Sequence, residues 1–422
     1  MNSSRADTSL AGHPSLDRVV DATDLLDGDD AAILDGDTDD VAFFWHDATT
    51  DRSMLAAGAV RHFVGNGPGD LARVASGIRS ALADAEGSRP GGLAALGGFA
   101  FADQPPGRSA PLPGCWFFVP RRLWRRENGT TRLVEIDAPS AEPPMFGRVE
   151  VQEPGGDWDS TVASALERIR AGSLAKVVLS RGRRLPRPAA SLRQLLRHLR
   201  ATRPRCVTFA LRWGTTAFFG STPEWIAHVD ASVLRAPALA GTHPRGLTPE
   251  EDENRAAELL ACLKNRREHR AVVDGIVASL ARLGVQPEVD DTRVLRLPEA
   301  MHLRTEISAR VPAGLDVLRV ASELHPTPAV CGTPRAAAAE FLRRHEGDRG
   351  WYTGGVGWMD ARGRGDVVVG LRSALRDAEG LTVRAGAGIV SGSDARSEFA
   401  ETELKMQALL ATLRALGAEA DG

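Results

Sequence analysis

The 422-residue sequence predicts an α+β protein with antiparallel sheets. Many short segments of strand type follow one another through hairpin signals, such as Asn128-Gly129 between two apolar runs. Only a few longer segments carry apolar residues at helical spacing, and Pro249–Leu283 is the longest of them. Consecutive strands joined by hairpins argue against a doubly wound parallel sheet, in which helices would separate the strands.

The first half of the chain, residues 16–150, is expected to be built mostly from strands. The polar residues 1–15 that precede it predict a disordered tail. Residues 139–156, rich in proline and glycine, look like a connector to the second half. The predicted elements of this half are the strands Val41–Trp45, Met54–Phe63, Gly91–Phe101, Trp116–Trp124 and Thr131–Ile136 and the helix Asp70–Ala85.

The second half, residues 157–416, mixes strands with longer helices. Its predicted helices are Trp158–Ala171, Ser191–Leu199, Pro249–Leu283, Val317–Leu324, Arg335–Arg344 and one that follows Asp394. Its predicted strands are Lys176–Leu179, Val207–Leu211, Thr216–Phe219, Trp225–Val229, Ser232–Ala240, His302–Val311, Trp351–Asp360, Asp366–Leu375 and Leu381–Ala387. Turns at Arg362-Gly363 and Glu379-Gly380 predict that the last three strands form an antiparallel meander.

Composition and charge narrow the range of partners and locations. A net charge of -3 gives no electrostatic case for a nucleic-acid partner. The cysteines are far apart and lack CxxC pairing, which predicts free thiols in a reducing compartment. The N-terminus lacks an apolar signal-peptide core, and no apolar run approaches the roughly 20 residues of a membrane span. We therefore expect a cytoplasmic protein without a membrane partner.

A stretch near the C-terminus concentrates polar and glycine residues. A glycine-rich turn, Ala385–Gly388, is expected to follow a strand, and Asp394 is expected to cap the next helix. On one face that helix carries Glu398, Glu401 and Lys405. Glycines would let backbone N–H groups approach an anion, and two carboxylates on one face suit Mg²⁺. The alternative is an ordinary strand-to-helix turn followed by a solvated helix face.

Two charged residues enter or border apolar strands and are candidates for acid and base chemistry. Lys176 begins the strand KVVLSR, where desolvation or a nearby cation would favour its neutral, basic form. Alternatively, its ammonium reaches water from the mouth of the strand. Glu224 precedes an apolar strand, and desolvation beside Trp225 would raise its pKa toward neutrality. Alternatively, it is a solvated carboxylate at the end of a strand.

Four further residues could contact a substrate or metal. Glu268 is a charge inside the longest helical pattern, where most glutamates are solvated. His302 could donate to a substrate oxygen or be a satisfied strand histidine. Arg372 interrupts an apolar strand, so its guanidinium needs an anionic partner such as a carboxylate. Tyr352, the only tyrosine, could hydrogen-bond a carboxylate or pack in the core.

Taken in order, these segments resemble the chorismate-utilising enzymes, which are isochorismate, salicylate, anthranilate and aminodeoxychorismate synthases. The resemblance covers roughly Asp157–Leu413 and rests on KVVLSR, STPEW, ALAGTHPRG, the EH pair at Glu268, LHPTPAVCGTPR, YTGGVGWMD, VVVGLRSA and AGAGIVSGSDARSEFAETELK. It implies one large α+β domain in which two antiparallel sheets stack face to face. Helices would lie outside, and the active site would occupy a cleft between the sheets.

Within this family the residues are most similar to the isochorismate synthases. Lys176 stands where enzymes that add water look alike in having lysine, whereas anthranilate synthases usually have glutamine. The run VVDGIVASLARLG departs from the DLxRNDL-like run of anthranilate-type enzymes. The loop LHPTPAVCGTPR is close to the isochorismate synthase form, and salicylate synthases look different there.

The resemblance also implies roles for the candidate residues, with chorismate as substrate. Lys176 would deprotonate a water that attacks C2 of the ring, and Glu224 would protonate the leaving C4 hydroxyl. Arg372 would bind the carboxylate of the enolpyruvyl arm. The ligands of a Mg²⁺ ion at the ring carboxylate would be Glu268, Glu398 and Glu401. The other substrate-binding positions would be Gly241, Thr242, His302, Ala329, Tyr352, Gly386 and Lys405.

Two other functions compete at this point. A salicylate synthase would also expel pyruvate from isochorismate, and a non-catalytic homologue would only bind chorismate. Lys176 and Glu224 argue against the second, because a binding module needs no acid and base pair. Isochorismate would feed siderophore, menaquinone or other secondary metabolism. Family members of this type are often monomers, so a monomer is expected.

Overall fold

The strands of this protein pair in antiparallel ladders, as the hairpin signals predicted. The computed structural model describes residues 14–20, 24–36, 41–86, 92–104, 112–141, 157–298 and 300–417. Every ladder between strands of these residues is antiparallel. Most of the expected tail and connector lies outside the described residues, although residues 14 and 15 already belong to a strand.

Strands outnumber helices in the part of the chain that the structure describes. The strands are β1 Pro14–Val20, β2 Val41–Asp47, β3 Arg52–Gly65, β4 Ala94–Phe99, β5 Cys115–Glu127, β6 Thr130–Ile136, β7 Lys176–Pro186, β8 Val207–Trp213, β9 Thr216–Thr222, β10 Trp225–Asp230, β11 Val233–Arg235, β12 Ala238–Pro244, β13 Glu288–Val289, β14 Arg293–Arg296, β15 Ala300–Thr305, β16 Ile307–Arg310, β17 Gly332–Thr333, β18 Gly355–Asp360, β19 Gly365–Val369, β20 Ser373–Arg376 and β21 Gly380–Ile389. The α-helices are α1 Leu71–Glu86, α2 Trp158–Arg170, α3 Leu192–Thr202, α4 Pro249–Ala261, α5 Leu263–Arg282, α6 Val317–Leu324, α7 Arg335–His345 and α8 Ala395–Ala415. Two short 3₁₀ helices cover Asp29–Asp35 and Pro68–Asp70.

Ladders join 18 strands into one folded network, and a three-stranded sheet stands apart. One wing of the network runs through β7, β21, β20, β9, β8 and β2, and the other runs through β4, β18, β19 and β10. The long strands β3 and β5 connect the wings. Trp45 and Phe209 from one wing share a buried apolar cluster with Trp116 and Trp358 from the other side. The two stacked antiparallel layers of the expected α+β fold are therefore continuous at one edge.

Two predicted strands cross from the network to the small sheet and are each broken there. The predicted strand Ser232–Ala240 is divided into β11 and β12, and His302–Val311 is divided into β15 and β16. β11 pairs with β16 in the network, whereas β12 pairs with β15 in the small sheet. Pro237 stands in the first break, whereas only Glu306 separates β15 from β16 and no proline or glycine marks that change of sheet.

The longest predicted helix, Pro249–Leu283, is wrong as a single element. Cys262 adopts an extended conformation, which ends α4 and starts α5. No proline or glycine marks this break. It arises from packing, because α4 covers the small sheet through Leu259 while α5 buries Val272 and Ile276 in the main core. The change of direction starts α5 at residues that border a polar cavity.

The glycine-rich segment Ala385–Gly388 forms part of β21 instead of the predicted turn. The ladder of β21 with β7 continues through it, pairing Gly386 with Ser180 and Gly388 with Val178. An ideal Cβ on Gly388 would lie 2.9 Å from Lys176 Cε, so glycine leaves room for that side chain. These glycines therefore make space beside the strand for polar groups of neighbouring elements.

The predicted strand Asp366–Leu375 is also interrupted. It forms β19 and β20, which pair with different neighbours, β10 and β9. Arg372 lies in the break with a left-handed φ of 48°, which is unusual for a residue with a side chain. Such backbone strain is typical of functional sites, and Arg372 borders the cavity.

All four cysteines are free thiols, as the sequence predicted. Among the described residues, no helix has both the length and the apolar character needed to cross a membrane.

Candidate active site

A cavity of about 260 Å³ brings together every residue that the sequence singled out for chemistry. It is bordered by β7, β12, β15 and β21 and by the helices α5 and α8. The predicted residues that line it are Lys176, Glu224, Gly241, Thr242, Glu268, His302, Ala329, Tyr352, Arg372, Gly386, Glu398, Glu401 and Lys405. They come from positions far apart in the chain, so the fold assembles the site.

Lys176 is buried at the start of β7 and is 4% exposed. Its Nζ donates to Glu268 Oε1 at 2.8 Å. This ion pair, and not the contact with bulk water considered from the sequence, compensates the buried ammonium. Burial acts to raise the pKa of Glu268, but the charge and the hydrogen bond of Lys176 hold that pKa below its usual value.

Glu224 is buried between β9 and β10 and is 8% exposed. Burial raises its pKa to about 7, although Lys176, Lys405 and Arg372 act in the opposite direction. The contribution expected from Trp225 is not seen, since that ring packs against Trp45 at 6.3 Å and does not border the cavity. Successive residues of an extended chain face opposite sides, which separates the two side chains. Because burial raises its pKa to about 7, Glu224 can hold a proton near neutral pH.

Three carboxylates line one wall of the cavity, and each lies near a lysine. Asp394 caps α8 as predicted by accepting from Ser397 N at 2.9 Å, and α8 presents Glu398 and Glu401 to the cavity. Lys405 Nζ lies 2.6 Å from Glu401 Oε1, and Lys264 Nζ lies 3.8 Å from Glu398 Oε1. Each carboxylate of this wall therefore has a lysine nearby.

The three glutamates have the chemistry of ligands for a divalent cation. In this arrangement, no group of three histidine, cysteine or acidic side chains among the described residues encloses a metal position. The donor set nevertheless fits, because carboxylate oxygens are the ligands that Mg²⁺ prefers. Burial and the neighbouring Glu401 raise the pKa of Glu398, although Ser393 donates to it at 2.7 Å. A cation would relieve that repulsion and would replace lysine as the partner of Glu268 and Glu401.

His302 lies on β15 against the bulge of β12. Its Nδ1 lies 3.2 Å from the Gly241 carbonyl oxygen and 3.3 Å from Thr242 Oγ1. A carbonyl can only accept, so Nδ1 carries the proton and Nε2 is left as an acceptor. Burial lowers the pKa of His302 to about 3, and Nε2 is buried without a hydrogen-bond partner in the described structure. The neutral ring can accept from a hydroxyl or water, whereas donation was suggested from the sequence.

Positive and hydroxyl groups also line the cavity, through Arg372, Lys405 and Tyr352. Arg372 Nη1 donates to the backbone carbonyl of Lys405 at 3.2 Å. Lys405 Nζ in turn donates to the Gly386 carbonyl at 2.9 Å. Tyr352 is buried, and an ideal Cβ on Gly386 would lie 3.4 Å from its hydroxyl oxygen. Together these groups form a region that suits a carboxylate.

Sequence reasoning missed four polar residues that line the cavity, namely Lys264, Asn265, Thr353 and Arg384. Lys264 and Asn265 precede Glu268 by four and three residues on α5. That helical spacing could have found them, because such residues share one face. Arg384 precedes Gly386 by two residues on β21, so strand alternation could have found it.

The fold and this cavity define a chorismate-binding enzyme. A family model described as "Chorismate binding enzyme" matches residues 135–414, and the chain belongs to that family. The resemblance to isochorismate synthases is confirmed by curated relatives and by solved structures. The salicylate biosynthesis isochorismate synthase of Pseudomonas aeruginosa is 39% identical over 295 residues, which cover 69% of this chain and 60% of that protein. The match thus spans less than two thirds of that relative's length.

Two further comparisons extend over most of both chains. The vibriobactin-specific isochorismate synthase of Vibrio cholerae is 31% identical over 374 residues, covering 86% of this chain and 90% of that protein. The structure of MenF, the menaquinone-specific isochorismate synthase from Escherichia coli, has a TM-score of 0.77 and 26% identity and covers 95% of each chain. A structure of anthranilate synthase component I from Streptococcus pneumoniae has a lower TM-score of 0.62 at 22% identity.

Proposed function

We propose that this protein is a Mg²⁺-dependent isochorismate synthase that converts chorismate to isochorismate. The observation that carries the proposal is a buried acid and a lysine in one cavity. Glu224, whose burial raises its pKa to about 7, and Lys176 both line it. The names of the relatives support the same reaction, and the lysine agrees with enzymes that add water.

The reaction exchanges one hydroxyl for another at opposite ends of a conjugated system. Lys176, as the neutral amine, takes a proton from a water whose oxygen bonds to C2 of the ring. The C1–C2 double bond moves to C1–C6, the C5–C6 double bond moves to C4–C5, and the C4–O bond breaks. Glu224 gives its proton to the departing hydroxyl, which leaves as water. The substrate and the product are isomers, and water is consumed and released in equal amounts.

The remaining residues hold the substrate in position for these two proton transfers. Arg372 and Tyr352 bind the carboxylate of the enolpyruvyl arm. Lys405 neutralises negative charge beside Gly386. His302 accepts a hydrogen bond from a hydroxyl or from the attacking water through Nε2. Gly241, Thr242 and Ala329 shape the wall.

Glu268, Glu398 and Glu401 would hold Mg²⁺, which would supply positive charge to the ring carboxylate. The ion would also fix the position of the ring relative to Lys176 and Glu224. Isochorismate formed in this way would feed a siderophore, menaquinone or other secondary pathway, and the relatives include enzymes named for vibriobactin and for menaquinone.

The experiment that tests this function is to incubate the protein with chorismate and Mg²⁺ in H₂¹⁸O and to analyse the products by chromatography and mass. We expect isochorismate that is two mass units heavier than chorismate, in a reversible mixture and without pyruvate. Unlabelled isochorismate would overturn the water-addition mechanism. Salicylate with an equal amount of pyruvate would identify a salicylate synthase, and no turnover would favour a protein that only binds chorismate.

A further inference from the structure

Arg384 is a second guanidinium at the cavity, and the proposed reaction assigns it no role. It lies on β21 and lines the cavity with Gly386 and Gly388. Because side chains alternate along a strand, residues 384, 386 and 388 face the same side. The two glycines make room for other groups, and the side chain of Arg384 fills the next place on that face.

The order along this strand face places Arg384 at one end of the site. An ideal Cβ on Gly388 would lie 3.3 Å from Glu268 Oε1, which marks the carboxylate end. The equivalent atom on Gly386 would lie 3.4 Å from the Tyr352 hydroxyl oxygen. Arg384 lies two residues further on, roughly 14 Å from Gly388 at the usual strand rise. The backbone of Arg384 therefore lies on the side of Gly386 and Tyr352, away from Gly388 and Glu268.

The charge of Arg384 lacks a full partner within the described structure. Its Nη1 is buried without a hydrogen-bond partner. Burial lowers its pKa, although the attraction of Glu346 opposes that effect. Glu346 is already engaged, because Arg349 donates to both of its oxygens at 2.8 and 2.6 Å and Ser180 Oγ also donates to it. A guanidinium with an unpaired buried nitrogen is costly, so an incoming carboxylate would be favoured here.

We propose that Arg384 binds the carboxylate of the enolpyruvyl arm together with Arg372 and Tyr352. The positive charges of Arg384 and Arg372 both act on the Tyr352 hydroxyl, so this hydroxyl lies near the two guanidinium groups. A guanidinium can hold a carboxylate by two parallel hydrogen bonds, which fixes orientation as well as charge. The inference rests on the proposed function, because it names a further residue that positions the same substrate.

Direct binding of two unreactive analogues tests this role. The first is 3-(carboxymethoxy)benzoate, which has a ring carboxylate and an ether-linked arm carboxylate. The second is 3-methoxybenzoate, which lacks only the arm carboxylate. Calorimetric titration in Mg²⁺ buffer should show that the wild-type protein prefers the first. We expect Arg384→Gln to weaken binding of the first roughly tenfold or more, as for the loss of a hydrogen bond between charged groups, and to leave the second unchanged.

A matched control uses Arg184→Gln, which removes the same charge from the neighbouring strand. Arg184 pairs with Asp377 and does not line the cavity, so we expect both affinities to be unchanged. If Arg384→Gln does not fold, Arg384→Lys serves instead, since it keeps the charge and loses the paired donors. An unchanged preference in the folded variant would overturn the role of Arg384 alone. No preference in the wild-type protein would overturn the proposed substrate as well.

Discussion

Lys176 Nζ and Glu268 Oε1 lie 2.8 Å apart and join two elements that are 92 residues apart in the chain. The pair connects the first residue of β7 to the second turn of α5 inside the cavity. As long as Lys176 keeps its proton, it neutralises Glu268 and cannot accept another proton. To act as a base, Lys176 must give up this proton and with it the positive charge that neutralises Glu268, which links the base to the wall of carboxylates.

Replacing Lys176 with alanine should abolish turnover without unfolding the protein. Removal of a general base typically costs two to four orders of magnitude in rate, so we expect kcat to fall by about 10²–10⁴-fold. Initial rates of isochorismate formation measure this loss, and circular dichroism checks the fold. A rate for K176A close to that of the wild-type protein would show that another group removes the proton.

The rate should depend on the protonation of Glu224. The proposed acid must carry its proton, and burial raises the pKa of Glu224 to about 7. We expect kcat to fall as the pH rises above about 7 and Glu224→Ala or Glu224→Gln to be inactive at every pH. A pH–rate profile of the wild-type protein checks the first expectation. A rate that stays constant from pH 6 to roughly pH 9 would remove Glu224 from the role of acid.

The same carboxyl should also affect stability. Its folded pKa of about 7 lies above the ordinary value of 4.5, so the folded state binds its proton more tightly. The resulting stabilisation is complete below about pH 4.5 and is lost as the pH rises through about 7. Glu224→Gln removes this dependence. Between pH 5 and pH 8 the free energy of unfolding of the wild-type protein should fall by up to about 3 kcal/mol more than that of the variant. Denaturant unfolding at both pH values measures the difference; equal pH dependence would mean that Glu224 ionises freely.

Sequence reasoning found some of the site residues because they violate the pattern around them. Lys176 and Arg372 place charges in apolar strands, and both line the cavity. Asp394 carries the ordinary signal of a helix cap, and the structure confirms the cap. Such exceptions to the local pattern can be recognised in a single sequence, because charged side chains are rarely buried unless they are paired.

The failures of prediction have the opposite cause. Cys262 breaks a helix, and residue 306 separates two strands, without any glycine or proline to mark these points. The hydrophobic pattern continues across each break, and only packing against two different sheets decides the geometry. The turn predicted at Gly386 and Gly388 was wrong for another reason. Glycine can stand inside a strand to make room for a neighbouring side chain, as well as in a turn.

Removal of divalent cations should abolish activity, and Mg²⁺ should restore it. Glu268, Glu398 and Glu401 line one wall, and burial together with Glu401 raises the pKa of Glu398. A bound cation would relieve this repulsion, so Mg²⁺ should also raise the melting temperature of the wild-type protein. Glu398→Gln should weaken the binding of Mg²⁺ measured by calorimetry. Full activity after treatment with EDTA would refute the metal requirement.

Gly388→Ala should impair catalysis while leaving the fold largely intact. The added Cβ would lie 2.9 Å from Lys176 Cε and 3.3 Å from Glu268 Oε1, so Lys176 would have to move. Because displacement of a catalytic group by about 1 Å can cost roughly 10²-fold, we expect kcat to fall at least tenfold. Gly28→Ala is the control, since no atom lies within 4 Å of its added Cβ and its φ of -70° suits alanine. A fall in kcat for G388A but not for the control would show that the base lies against β21. Wild-type rates for both variants would show that the Lys176 side chain moves without any loss of activity.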